Sequence, residues 1–184
     1  MARVPQWTFP EEMQPDPSAL AFDLDAALDA AVMVHSEIPE DAFTAAVLGT
    51  ERTGNGIVIR EDSLVLTIGY LITEAERIWM TTNGGEAVQG HALAYDQETG
   101  FGLVQPLGRI RARPVRLGTA AAATLGSELT VAGHGGRPHA LRARVVDRRE
   151  FAGYWEYVLD DAIFTTPAHP DRKSTRLNSS HRCI

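Results

Sequence analysis

The chain has 184 residues, 44% hydrophobic and 22% charged, with 17 basic and 24 acidic side chains and a formal net charge of −7. These values fit one globular domain or a small tandem, and they exclude wholesale disorder, collagen and coiled coil. No apolar run approaches the roughly 18 residues needed to span a bilayer, the negative charge argues against a general nucleic-acid binder, and a single cysteine, Cys183, rules out a disulfide framework or a cysteine-rich metal site.

Residues 1–17 hold Pro5, Pro10, Pro15 and Pro17 and read as an extended leader. They show no basic stretch followed by an apolar one, so no secretory signal is visible and the expected location is cytoplasmic. From Ser18 to about Val34, the Ala, Asp and Leu content predicts a helix capped by Ser18, which with its connection occupies residues 18–44. From Ala45 onward, short apolar runs alternate with Gly, Asn, Asp and Pro. Strands are predicted at Ala45–Gly49, Gly56–Ile59, Leu64–Ile68, Arg77–Thr82, Glu86–Tyr95, Gly102–Pro106, Pro114–Leu117, Glu128–Ala132, Leu141–Arg148 and Trp155–Phe164. Asn83-Gly84-Gly85 is a strong hairpin turn, and Ala120–Thr124 has room for one helical turn. Many short strands at even spacing, with no long helix between them, indicate an all-β sandwich or barrel rather than a parallel α/β sheet.

The composition changes at Asp171, where the chain reads DRKSTRLNSSHRCI. The translation of a common short-read sequencing adapter is identical to Asp171–His181, so residues 171–184 are expected to be a non-native tail and the native chain to stop at Pro170. That tail holds Arg172, Lys173, Arg176, Arg182 and one acid, Asp171; without it, 13 basic residues face 23 acidic ones, a formal charge of −10. No role is given to Ser174, His181 or Cys183.

Six local patterns, in order from Thr53 to Pro170, carry a resemblance. They are Thr53-Gly54-Asn55-Gly56-Ile57-Val58-Ile59, Leu64-Val65-Leu66-Thr67, Tyr95-Asp96-Gln97-Glu98-Thr99, Pro114-Val115-Arg116-Leu117-Gly118, Val131-Ala132-Gly133-His134-Gly135-Gly136 and Tyr157-Val158-Leu159-Asp160-Asp161-Ala162. Together this stretch resembles the HtrA-like branch of the trypsin-like serine peptidases. The resemblance implies a trypsin-like double β-barrel with a cleft between the barrels. The first barrel would occupy residues 45–112, and residues 113–170 would form a second, incomplete one.

A serine peptidase needs a hydroxyl nucleophile, an imidazole to take its proton and a carboxylate to hold that imidazole. The resemblance puts Tyr70 where the family has its histidine. A phenol, with a pKa near ~10, is no general base at neutrality. It puts Gly100, which has no side chain, where the family has its aspartate. The nucleophile position falls at or just beyond His169, with no serine there. The implied chain is a pseudoprotease that binds a peptide or protein partner, with no cofactor and no metal. A serine endopeptidase and a structural module of a longer chain are the alternatives.

Asp161 matches the family's acid before the nucleophile loop and is a candidate binding residue; on a strand, Asp160 and Asp161 point to opposite faces and form no proton-sharing dyad. Tyr154 and Trp155, in a cluster with Phe151 and Tyr157, are candidates for a ligand-binding rim. Trp79 and Phe101 are expected in the first barrel's core, His91 on a strand face, and Glu74 and Glu76 on a solvated turn. His134 and His139 lie in a Gly/Pro-rich loop with no further ligand at metal-binding spacing. The arginines at 137, 142, 144, 148 and 149 are expected on a solvated face.

Overall fold

A computed structural model of the chain describes residues 8–152 and 158–167. Two short helices, α1 (Leu24–Asp29) and α2 (Ala45–Leu48), accompany nine strands: β1 (Ala31–Glu37), β2 (Glu51–Val58), β3 (Val65–Ile68), β4 (Arg77–Thr81), β5 (Ala87–Asp96), β6 (Phe101–Pro106), β7 (Glu128–Ala132), β8 (Ala140–Ala152) and β9 (Val158–Thr166). The first six close into an antiparallel barrel in the order β1-β2-β3-β6-β5-β4, and the last three form a separate antiparallel sheet, β7-β8-β9. This is the architecture of a trypsin-like double β-barrel whose second barrel is partial among the described residues.

The barrel interior is made by inward-facing alternate residues. Val32, Val34, Val58, Val65, Ile78, Met80 and Val104 are each at most 1% exposed. Burying side chains of this size contributes roughly 1.5–3 kcal/mol apiece. Where strands crowd, a glycine stands in: a Cβ on Gly56 would lie 2.6 Å from Val65 and 2.8 Å from Val34. Between β5 and β6 the register slips at Leu93, a bulge that turns this leucine outward.

The second sheet is sealed by the chain's start. Phe9 packs with Leu141 and Ala143, and its N–H donates to Pro138 O at 2.8 Å. Leu24 and Leu28 of α1 pack with Ala140, and Arg137 forms an ion pair with Asp25. At the far end of the β8–β9 hairpin, Phe151 and Leu159 reach the first barrel's core.

The structure corrects several expectations. The predicted helix through Val34 ends at Asp29, and its cap is Asp23, not Ser18; Asp23 accepts from Ala26 N–H. Ala31–Glu37 is instead a barrel strand, so the first barrel takes in residues upstream of position 45. Ala45–Leu48, expected as strand, is helical, with Leu48 N–H bonded to Thr44 O. Pro114–Leu117 joins no ladder; Val115 N–H makes one bond to Val58 O, and Pro114 has no N–H to give. Trp79 and Phe101 are only half-buried and stand outside the core cluster. The single turn near Ala120 is present, as a 3-10 turn over Ala120–Ala122.

Candidate functional site

Strand β3 runs into a 3-10 turn, Gly69–Leu71, which carries Tyr70. Tyr70 is buried, 8% exposed, and belongs to the barrel's core cluster. Gly100 comes from the turn between β5 and β6. That turn closes on itself through Asp96, whose carboxylate accepts from Glu98 N–H and from Thr99 Oγ1 at 2.6 Å. Gly100 follows at φ 67, a left-handed conformation that a glycine adopts without steric cost. Its carbonyl accepts the N–H of Gly69 at 2.8 Å. Residues 70 and 100, singled out in the sequence 30 positions apart, therefore sit on neighbouring backbone. The approach is close: a Cβ on Gly69 would fall 2.0 Å from the Tyr95 ring.

Beneath this turn lies a residue the sequence reading missed. Arg52 is 3% exposed. Its guanidinium donates to Gly49 O at 3.2 Å, Tyr70 O at 2.6 Å, Thr73 O at 3.1 Å and Thr44 Oγ1 at 2.7 Å. The signal was parity, since Arg52 shares a strand face with the buried Gly56 and Val58. Glu74 was expected to be merely solvated. It is exposed, but its carboxylate accepts from Phe43 N–H, Thr44 N–H and Thr44 Oγ1. These bonds hold the Glu74 carboxyl below its ordinary value, the Thr44 hydroxyl first among them.

The histidines lie elsewhere. His35 Nδ1 is 3.0 Å from Thr53 Oγ1, and His91 is exposed on β5. His134 and His139 are both buried. His134 Nε2 lies 3.1 Å from Thr82 O, while its own N–H donates to Asn55 Oδ1 at 2.9 Å. The next N–H, of Gly135, donates to Asn83 Oδ1 at 2.7 Å. Two asparagines of the first barrel thus clasp the loop leading from β7 to β8. Among the described residues no group of three or more His, Cys, Asp or Glu gathers as a metal site.

Asp161 lies on β9, where Arg148 grips it: Nε donates to Oδ1 at 2.9 Å and Nη2 to Oδ2. That pairing, chiefly the hydrogen bond from Arg148, holds the Asp161 carboxyl below its usual range. Arg148 Nη1 also donates to Ala120 O and Ala123 O, both at 2.9 Å, so the pair pins the 3-10 turn to the sheet. Most of the arginines expected on a solvated face also hold partners. Arg137 pairs with Asp25 and Arg144 with Glu128, while Arg149 pairs with Asp147 and lies 4.6 Å over the Phe164 ring. Tyr154, Trp155 and His169 lie outside the described residues.

A closed antiparallel barrel, a second sheet clasped to it, and a turn after β3 set against the β5–β6 turn define a trypsin-like peptidase fold. The chain belongs to the trypsin-like peptidase domain family, whose profile matches residues 54–173. Among solved structures it is similar to the Rv3671c protease of M. tuberculosis in its active form, at 17% identity and a TM-score of 0.62, over 91% of this chain and 75% of that one. It is also similar to an HtrA-type protease, AlgW, solved with a tripeptide, at 12% identity and a TM-score of 0.58, over 76% of this chain and 43% of that one. No curated protein sequence matches the chain. Among the described residues no helix is long and apolar enough to cross a membrane.

Proposed function

We propose that this chain is a non-catalytic member of its family, a pseudoprotease that binds a peptide or protein segment in the cleft between barrel and sheet. The observation carrying this reading is the pairing of Tyr70 with Gly100 across the Gly69–Gly100 hydrogen bond. A peptidase needs an imidazole and a carboxylate in those two roles. A phenol, with an ordinary pKa near ~10, does not take a proton from a serine near neutrality. Gly100 offers nothing to orient a base. Neither His35 nor His134 makes up for this, because His35 Nδ1 lies against a threonine hydroxyl and His134 Nε2 against a backbone carbonyl rather than a carboxylate.

The binding half of the proposal draws on AlgW, which was solved with a tripeptide. Tyr154 and Trp155 are the proposed rim residues, and Asp161 contributes by holding Arg148 and the adjoining turn in place. A second reading, serine endopeptidase, is favoured by family membership alone. Fluorescein-labelled casein tests the two together. The proposed function predicts a saturable rise in polarisation with the casein remaining intact on a gel. Fragments that disappear on adding a serine-directed inhibitor would overturn it, and an absence of binding would favour a structural module.

A further inference from the structure

The segment joining β1 to β2 carries a surface that the site above does not use. Phe43 is 91% exposed and Val47 57% exposed, and Ala46 is exposed between them. The chain is helical here, with Val47 N–H and Leu48 N–H both bonded to Thr44 O. Ala46 and Val47 lie in α2 and Phe43 in the turn just before it, and all three are exposed. The inward side is already filled: Ala45 is buried, and Leu48 packs against the barrel core.

Hydrogen bonds hold the backbone of this apolar knob. Phe43 N–H and Thr44 N–H donate to the two oxygens of Glu74 at 3.0 and 2.8 Å. Glu74 itself sits at φ 59, a conformation rare for a side chain of its kind. From beneath, Arg52 binds Thr44 Oγ1 and Gly49 O, the two ends of the helical stretch. The backbone ordering cost of presenting Phe43 is met in the fold, before any partner arrives.

The surroundings are acidic. From Glu37 to Glu51 the chain holds Glu37, Glu40, Asp41 and Glu51, with no Lys or Arg. Strand pairing sets Glu51 opposite Glu37 at the base of the segment. The nearby bases are committed, Arg52 by burial and Arg77 by its ion pair with Glu37 at 3.0 Å. Glu40 and Asp41 are exposed and form no ion pair among the described residues.

We propose that Phe43, Ala46 and Val47, flanked by Glu40 and Asp41, form a docking surface for a basic segment of another protein in which Lys or Arg alternates with large aliphatic side chains. Charge complementarity selects that partner over an acidic or neutral one. It also disfavours a second copy of this chain, whose net charge is −7.

The test uses a fluorescein-labelled peptide of alternating Lys and Leu, with a Glu/Leu peptide beside it, titrated with the full chain. The Lys/Leu peptide is expected to bind saturably and the Glu/Leu peptide not at all. Phe43→Ala should weaken binding about tenfold or more, as truncating an exposed anchor does. The double substitution Glu40→Lys, Asp41→Lys should weaken it comparably. Leu107→Ala, at an exposed leucine distant in sequence, should leave affinity unchanged. Circular dichroism confirms that each variant is folded. Equal binding by Phe43→Ala, equal binding of the Glu/Leu peptide, or no binding of the Lys/Leu peptide would each overturn the proposal. So would self-association that Phe43→Ala abolishes, which would assign the surface to a second copy.

Discussion

At position 70 a phenol sits in the 3-10 turn after a barrel strand, and its backbone carbonyl is held from below by Arg52 at 2.6 Å. Removing that arginine would take a donor from the Tyr70 carbonyl, the Thr73 carbonyl and the Thr44 hydroxyl in a mostly buried place. Hydrogen bonds to a charged donor contribute about 1.5–3 kcal/mol each, only partly additively. Arg52→Ala is therefore expected to lower stability by about 3 kcal/mol, read as a fall in the urea midpoint. Arg52→Lys should recover only a minor part, because an ammonium cannot reproduce the planar fork. That residue 70 follows a strand and residue 100 closes a turn was legible in the sequence because strand and turn motifs framed them. Arg52 was not, since an arginine beside a Thr-Gly pair looks like any other surface cation until strand parity is tied to burial. Asp161 drew notice in the sequence as a candidate binding acid, and in the structure its carboxylate accepts from Arg148.

At the scale of elements, apolar pattern located most strands but misread short apolar runs. Ala31-Val32-Met33-Val34 follows a helix directly and looks like its continuation. It is a strand because β2 and β4 both pair with it and its residues are buried on both faces, which erases the alternation that marks a strand. Ala45–Leu48 failed in the opposite sense. Four apolar residues read as strand, but the Glu74 carboxylate captures two preceding N–H groups and the chain turns into a helix. The Arg148–Asp161 pair ties β8, β9 and the Ala120–Ala122 turn together, and this coupling depends on pH. The folded Asp161 carboxyl titrates below its unfolded value of ~3.9. Its contribution is thus fully present above that value and is lost as pH falls through the folded value. Melting temperatures of the protein and of Asp161→Asn should differ near neutrality, and the gap should close on acidification below about pH 4. A gap that stays constant with pH would remove Asp161 from this role.

At the scale of the molecule, the barrel and the sheet are joined by polar contacts of high specificity. Asn83 accepts from Gly135 N–H at 2.7 Å and donates to Leu28 O at 2.9 Å, while Asn55 accepts from His134 N–H. In the sequence Asn83 was visible only as a hairpin residue, because nothing local signals a partner 52 positions away. Asn83→Ala leaves a part-buried N–H and a carbonyl unpaired, and each such group costs about 1–3 kcal/mol. Urea unfolding should show a loss of that order, with the change in slope that follows if the sheet separates from the barrel before the barrel unfolds. Whatever cleft lies between the two parts depends on this clasp for its shape, and the proposed lack of proton-transfer groups there rests on Tyr70 and Gly100.

The most direct test of that lack is exposure of the protein to a fluorophosphonate, which modifies only a serine activated by a neighbouring base. Intact-mass measurement should show the unmodified protein under conditions that fully label an active trypsin-like peptidase. A stoichiometric adduct on one serine, abolished by prior denaturation, would contradict the account.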